Sequence, residues 1–243
     1  MYSHSEVPPP SRSAIPRGQT IKGLVGTAAF FVCIAVTLLI SAGTWYWIEA
    51  WCLLAALAAC MALDFVVLIR SNPDVIETRL QKERGAKRWD LFLSPAMVIT
   101  WFVGLIVAGL DHRFGWSPPI MLGIKGVAMV LFVAGNLIVL WAMVVNKFFA
   151  KLVRIQTEKG HATISVGPYR YVRHPGYAGW FLSSVAGPLV LGSFWAEVPI
   201  ACALVVTVVR TVLEDRTLRQ ELPGYQDYSR RVRYRLVPWL WIS

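Results

Sequence analysis

The chain has 243 residues, 56% of them hydrophobic and 16% charged, with a net charge of +10. Soluble domains carry about 25% charged residues, so this is the composition of a membrane protein. Lys and Arg are confined to a few segments between apolar runs, which argues against a nucleic-acid surface. Cys33, Cys52, Cys60 and Cys202 all lie inside apolar runs with no CxxC or His-rich cluster, which argues against disulfides and a metal site.

Residues 1–20 are rich in Pro and Ser and read as a disordered segment. The apolar run that follows is too long for the core of a signal peptide and reads as a membrane anchor. A bilayer core needs about 20 apolar residues in helix. Runs of that kind are expected over 21–43, 46–69, 91–110, 120–145, 177–191 and 194–213. The fifth is short, and only Gly192 and Ser193 join it to the sixth, so the two read as a helical hairpin. The expectation is an all-α, polytopic integral membrane protein with five to six transmembrane helices, a C-terminal helical hairpin and cytosolic polar segments.

Basic residues alternate from loop to loop. Residues 1–22 hold three, 70–90 hold six, 147–173 hold six, and the tail after Glu214 holds six. The intervening turns hold almost none. The positive-inside rule then places the N-terminus, both large loops and the C-terminal tail in the cytoplasm. Trp45, Trp47, Trp51, Trp89, Trp116, Trp239 and Trp241 fall near expected interfaces, as an aromatic belt does. His112 falls in an expected outer loop, with Glu49, Lys125 and Glu197 as helix-end charges. Asp64 lies deep in the second apolar run and needs a partner.

Two polar segments flank the hairpin, and the hairpin brings them to the same membrane face. The first contains "GPYRYVRHPGYAGW", residues 167–180. Pro175 disfavours helix at His174 and suits the first turn of the helix that follows. The positive end of that helix favours an anionic group. Gly176 and Gly179 leave room for close approach of backbone or ligand. Two readings stand side by side. In one, His174 caps a turn and Tyr169, Tyr171 and Tyr177 belong to the interface belt. In the other, they line a pocket. In the second segment, Arg210 precedes Glu214 by four residues on one helix face, with Asp215 adjacent. This is either a helix-end salt bridge or a functional cluster at membrane depth. The run Arg230, Arg231, Arg233 and Arg235 reads as a lipid-headgroup or topology feature. No GxGxxG, GxxxxGKS or GxSxG motif is present.

"QTEKGHATISVGPYRYVRHPGYAGWF", followed by "RxxxEDxxL" and "GYQDYSRRVRYRLVP", resembles the isoprenylcysteine carboxyl methyltransferase family, whose wider group includes membrane phospholipid methyltransferases. The strong likeness covers residues 156–238. The upstream "NPDVIETRL…RWD" and "GLDHRFGW" segments resemble bacterial members more loosely, and for a bacterial source the expected location is the inner membrane. The resemblance implies S-adenosyl-L-methionine as methyl donor and a lipidic or prenylated acceptor. Membrane lipids are its surroundings, and neither nucleic acid nor metal takes part. It places the cofactor at Gln156, Tyr169, Arg173, His174, Pro175, Tyr177, Glu214 and Asp215, and the chemistry at His174, Arg210 and Glu214. Asp215 stands where the family usually has a second Glu. The same resemblance divides the chain into acceptor-side transmembrane helices over 21–146 and a catalytic region over 147–243. Carboxyl O-methylation heads the implied activities. Phospholipid amine N-methylation is the first alternative. An NADPH-dependent sterol-type reductase is the second, although the Cys-x-x-Lys-Tyr-Gly tail of such enzymes is absent here.

Overall fold

The computed structural model of the chain describes residues 17–80 and 85–237. Of the disorder expected over residues 1–20, the part over 1–16 lies outside them, as do the belt positions Trp239 and Trp241, whereas residues 17–20 form the first turn of a helix. Eight α-helices follow one another among the described residues: α1 (Arg17–Ala42), α2 (Ile48–Ser71), α3 (Pro73–Leu80), α4 (Asp90–Phe114), α5 (Leu122–Val145), α6 (Pro175–Leu191), α7 (Glu197–Glu221) and α8 (Tyr225–Arg231). The segment between α5 and α6 holds two single turns of tighter helix, at Thr157–Lys159 and Gly167–Arg170. The all-α expectation is met.

Among the described residues, four helices are long and apolar enough to cross a membrane: α1 from Gly18, α2, α4 and α5. The hairpin α6–α7 falls short of that description for two different reasons. α6 has only 17 residues, roughly 25 Å at about 1.5 Å per residue. α7 is longer but carries Arg210, Glu214 and Asp215. It also runs well past the expected end at 213. The sequence boundary marks where hydropathy falls, whereas backbone hydrogen bonding continues through the charged turns to Glu221.

Short turns join α1 to α2, α4 to α5, and α6 to α7, and all three gather at one end of the bundle. The first helix of each pair stops at a glycine in the left-handed region: Gly43 (φ 65°), Gly115 (φ 65°) and Gly192 (φ 80°). Glycine is the residue that adopts this conformation without steric cost. Asp111 ties the turns together, accepting hydrogen bonds from the Ser117 amide and from the hydroxyls of Ser117 and Ser193. Lys125 pairs with Glu49 at 2.6 Å. His112 lies in the last turn of α4 rather than in a loop, and it stacks on Trp47 with ring centroids 4.3 Å apart. Trp47 is therefore not a belt residue. It is 1% exposed and belongs to the apolar core with Leu38, Phe132 and Leu191.

The longer connections gather at the opposite end. Asn72 donates its side-chain amide to the carbonyls of Met143 and Val144, capping the end of α5. α6 lies against α5 so closely that a Cβ at Gly179 would fall 2.5 Å from the Gly135 carbonyl oxygen. A Cβ at Gly176 would meet the Phe149 ring at 2.7 Å. The room these two glycines leave is taken by the protein itself.

Candidate functional site

Pro175 occupies the first turn of α6, as its missing N–H and fixed φ favour. The residues before it are extended and pair with the tail: the Arg173 amide donates to the Tyr234 carbonyl and the His174 amide to the Arg235 carbonyl, both at 2.9 Å. The tail after α8 thus lies directly beside the RHPGY segment. The hairpin then brings α7 alongside. Tyr177 donates its hydroxyl to Glu214 at 2.6 Å. His174 stacks on Tyr177 with centroids 5.8 Å apart and planes 19° apart.

Asp215 points the other way, into a closed cluster, and is 0% exposed. Its carboxylate lies 2.9 Å from Arg173 Nε, 3.2 Å from Arg219 Nε, 3.3 Å from Arg235 Nε and 3.6 Å from His174 Nε2. It also accepts the Tyr225 hydroxyl at 3.0 Å. Burial pushes its pKa up, but the His174 ring and the Arg173 and Arg219 guanidiniums outweigh burial and hold the carboxyl well below the usual range. Burial, with Asp215 beside it, pushes the Tyr225 phenol well above its ordinary value. Tyr225 is thereby kept protonated, as a donor to Asp215 must be. Arg173 also donates to the carbonyls of Ser229 and Val232, so its guanidinium clasps the tail.

Arg235 corrects an expectation. It is not part of an outward basic run, because its side chain is 12% exposed and paired with Asp215. Arg230 keeps the expected exterior position, with a side chain 79% exposed.

Arg210 departs from the expected pairing with Glu214. Its fork donates to Asp90 at 2.6 and 2.9 Å, and its Nη2 donates to the Lys151 carbonyl at 2.6 Å. Both charged groups are buried, with side chains 5% and 0% exposed. Asp90 in turn accepts the Val153 amide. The guanidinium lies 5.3 Å from the centroid of the Tyr177 ring, within cation–π range. Arg210 therefore anchors the 147–174 loop to the head of α4 and to the polar half of α7, and sits under Tyr177.

Gln156 is 0% exposed; its side-chain amide donates to the Phe148 carbonyl, while its Oε1 is a buried acceptor with no hydrogen-bond partner. Tyr169 is buried, accepting Asn146 Nδ2 at its hydroxyl and the Tyr228 hydroxyl at its carbonyl. Sequence reasoning passed over Asp90, Asn146, Tyr225 and Arg219. Only Asp90 carried a local signal, an acid set at the head of an apolar run where an unpaired charge is costly.

The structure brings His174, Pro175, Tyr177 and Glu214 into one cluster, with Arg173 and Asp215 behind it and Arg210 beneath. This cluster stands where the apolar helices give way to polar loops. Residues 127–221, from α5 to the end of α7, match the model of the isoprenylcysteine carboxyl methyltransferase family.

The resemblance read from the sequence is borne out.

A rice protein (Oryza sativa subsp. indica) named probable protein-S-isoprenylcysteine O-methyltransferase is 29% identical over 201 residues, covering 76% of this chain and 93% of the rice chain. Its counterpart from subsp. japonica matches to the same extent. The stretch of this chain that matches the methyltransferase family contains the RHPGY segment, the hairpin and both acids. It ends before α8 and the tail that Asp215 holds in place.

Proposed function

We propose that the protein transfers a methyl group from S-adenosyl-L-methionine to a carboxylate on a lipidic or isoprenylated acceptor at the membrane surface. The observation that carries this reading is the meeting of Glu214 with Tyr177 and His174 at the polar end of the apolar helices, inside the family-matched stretch. The residues fit the donor chemically. Glu214 suits its ammonium or ribose hydroxyls, and Gln156 Oε1 is a buried acceptor awaiting a donor. The Tyr177 and His174 rings offer flat faces for an adenine, and the first turn of α6 favours a carboxylate. When bound, the cofactor supplies an electrophilic methyl on a sulfonium.

The chain's own residues then act by positioning and by excluding water. Arg210 and Asp90 fix Tyr177 from below, while Asp215 and Arg173 hold the tail over the site. A carboxylate acceptor is already a nucleophile at neutral pH, so no side chain needs to remove a proton. An amine acceptor requires one, for which His174 or Glu214 is nearest. In this reading α6 and α7 complete six crossings, with both termini cytoplasmic, and the helices over 21–146 select the acceptor.

The test is calorimetric titration of the detergent-purified protein with S-adenosylhomocysteine and, separately, with NADPH. Binding of the homocysteine form that His174→Ala and Glu214→Ala both weaken supports the proposal. NADPH binding in its place moves the protein to the reductase class.

A further inference from the structure

Helix α3 turns a cation toward the apolar bundle rather than toward water. Val75 and Ile76 are buried and pack against Leu68, Leu140 and Met143. Arg79 follows them by four and three residues and so shares their inward face. A cation in the last turn of a short surface helix ordinarily reaches for solvent. Arg79 instead donates to the Met143 sulfur at 3.6 Å and holds its guanidinium over the Phe149 ring, 5.9 Å from the centroid. The residue is half-buried, so it keeps accessible surface.

Two further relationships tie Arg79 to the site. The first runs through Phe149, the ring against which the first turn of α6 closes: a Cβ at Gly176 would lie 2.7 Å from it. One ring therefore touches both Arg79 and the residue between Pro175 and Tyr177. The second is Asp64 of α2, which interacts electrostatically with Arg79. Asp64 lies seven residues, roughly 10 Å, before the end of its helix. An acid at this depth draws the guanidinium down toward the bilayer. Arg210, the guanidinium under Tyr177, already serves Asp90 and the Lys151 carbonyl.

We infer that Arg79 is the residue that selects an anionic acceptor: its guanidinium binds the carboxylate of the lipidic substrate beside the head of α6, with the substrate's chain lying toward the bilayer. This rests on the proposed methyl transfer and names the group that recognises its acceptor. A guanidinium fork matches a carboxylate through two parallel hydrogen bonds. In the transfer an oxygen–methyl bond forms as the methyl–sulfur bond breaks, the sulfur keeps the electron pair and no proton moves. The product ester carries no charge, so Arg79 loses its hold on it. The residue that admits the substrate thereby lets the product leave.

The experiment titrates the full chain in detergent with N-acetyl-S-geranylcysteine, with its methyl ester and, separately, with S-adenosylhomocysteine, read by microscale thermophoresis. The wild type should bind the acid more tightly than the ester. Arg79→Met should weaken the acid about tenfold to hundredfold, the loss of hydrogen bonds to a charged group, and leave the ester unchanged. Arg79→Lys, which keeps the charge and loses the fork, should fall between, and it carries the test if Arg79→Met does not fold. Binding of the homocysteine form should be the same in all three. No preference for the acid in the wild type, or a preference that both substitutions leave intact, overturns the inference. Failure of the homocysteine form to bind any of them sinks the donor reading alone, because the acid-over-ester preference is measured without it.

Discussion

Tyr177 donates its hydroxyl to Glu214 at 2.6 Å, joining the head of α6 to the polar end of α7. The bond orients a carboxylate that the sequence alone would assign to Arg210. Removing it with Tyr177→Phe keeps the ring over Arg210 and frees the carboxylate to turn. Calorimetry should show S-adenosylhomocysteine binding weakened about tenfold, the loss expected for a hydrogen bond to a charged group. Unchanged affinity would remove Glu214 orientation from the mechanism.

Arg210 and Asp90 form a buried bidentate pair between residues 120 apart. Breaking such a pair by deleting one partner strands a buried charge, at about 3–5 kcal/mol. Asp90→Ala should lower the melting temperature sharply in detergent, and Arg210→Met added to it should restore part of the loss. A purely additive double variant would show that the two charges do not act together.

Asp215 holds the tail through Arg173, Arg219, Arg235 and Tyr225. Its folded pKa is depressed below the unfolded value of about 3.9, so its stabilisation is fully present above that value. That stabilisation is lost as pH falls through the folded value. Asp215→Asn should flatten the acid limb of a melting-temperature profile below about pH 4. At pH 7 the same variant should expose residues 222–237 to limited proteolysis, a result that a role in ligand contact alone would not produce.

His161 titrates in the opposite sense to a paired histidine. Burial, with Arg154 nearby, pushes its pKa down to about 4. The ring lies against Phe148 at 4.4 Å, and its Nδ1 accepts the Gln156 amide. Unfolded chains take up the proton near pH 6.5 and the folded chain resists it, so stability falls as pH drops from about 6.5 to about 4. His161→Phe should reduce that slope, which amounts to about 2–3 kcal/mol across the window. An unchanged profile would mean that the ring is solvated.

Much of the fold was legible in the sequence because each apolar run satisfies its own backbone hydrogen bonds and is sorted by hydropathy one segment at a time. The runs of α1, α2, α4 and α5 were readable within a few residues for that reason. The RHPGY segment and the acid pair were legible as a chemical pattern, with Pro175 announcing the helix start.

Which acid serves which partner was decided only when the helices packed. Glu214 and Asp215 are neighbours in the chain, yet adjacent residues on a helix point about 100° apart, so one meets Tyr177 while the other is enclosed by arginines. Asp90 finds Arg210, and Arg235 turns inward rather than toward lipid headgroups. A charge or hydroxyl buried away from water takes whatever partner the surrounding elements bring within about 3 Å. Local composition does not encode that neighbour; the tertiary arrangement supplies it.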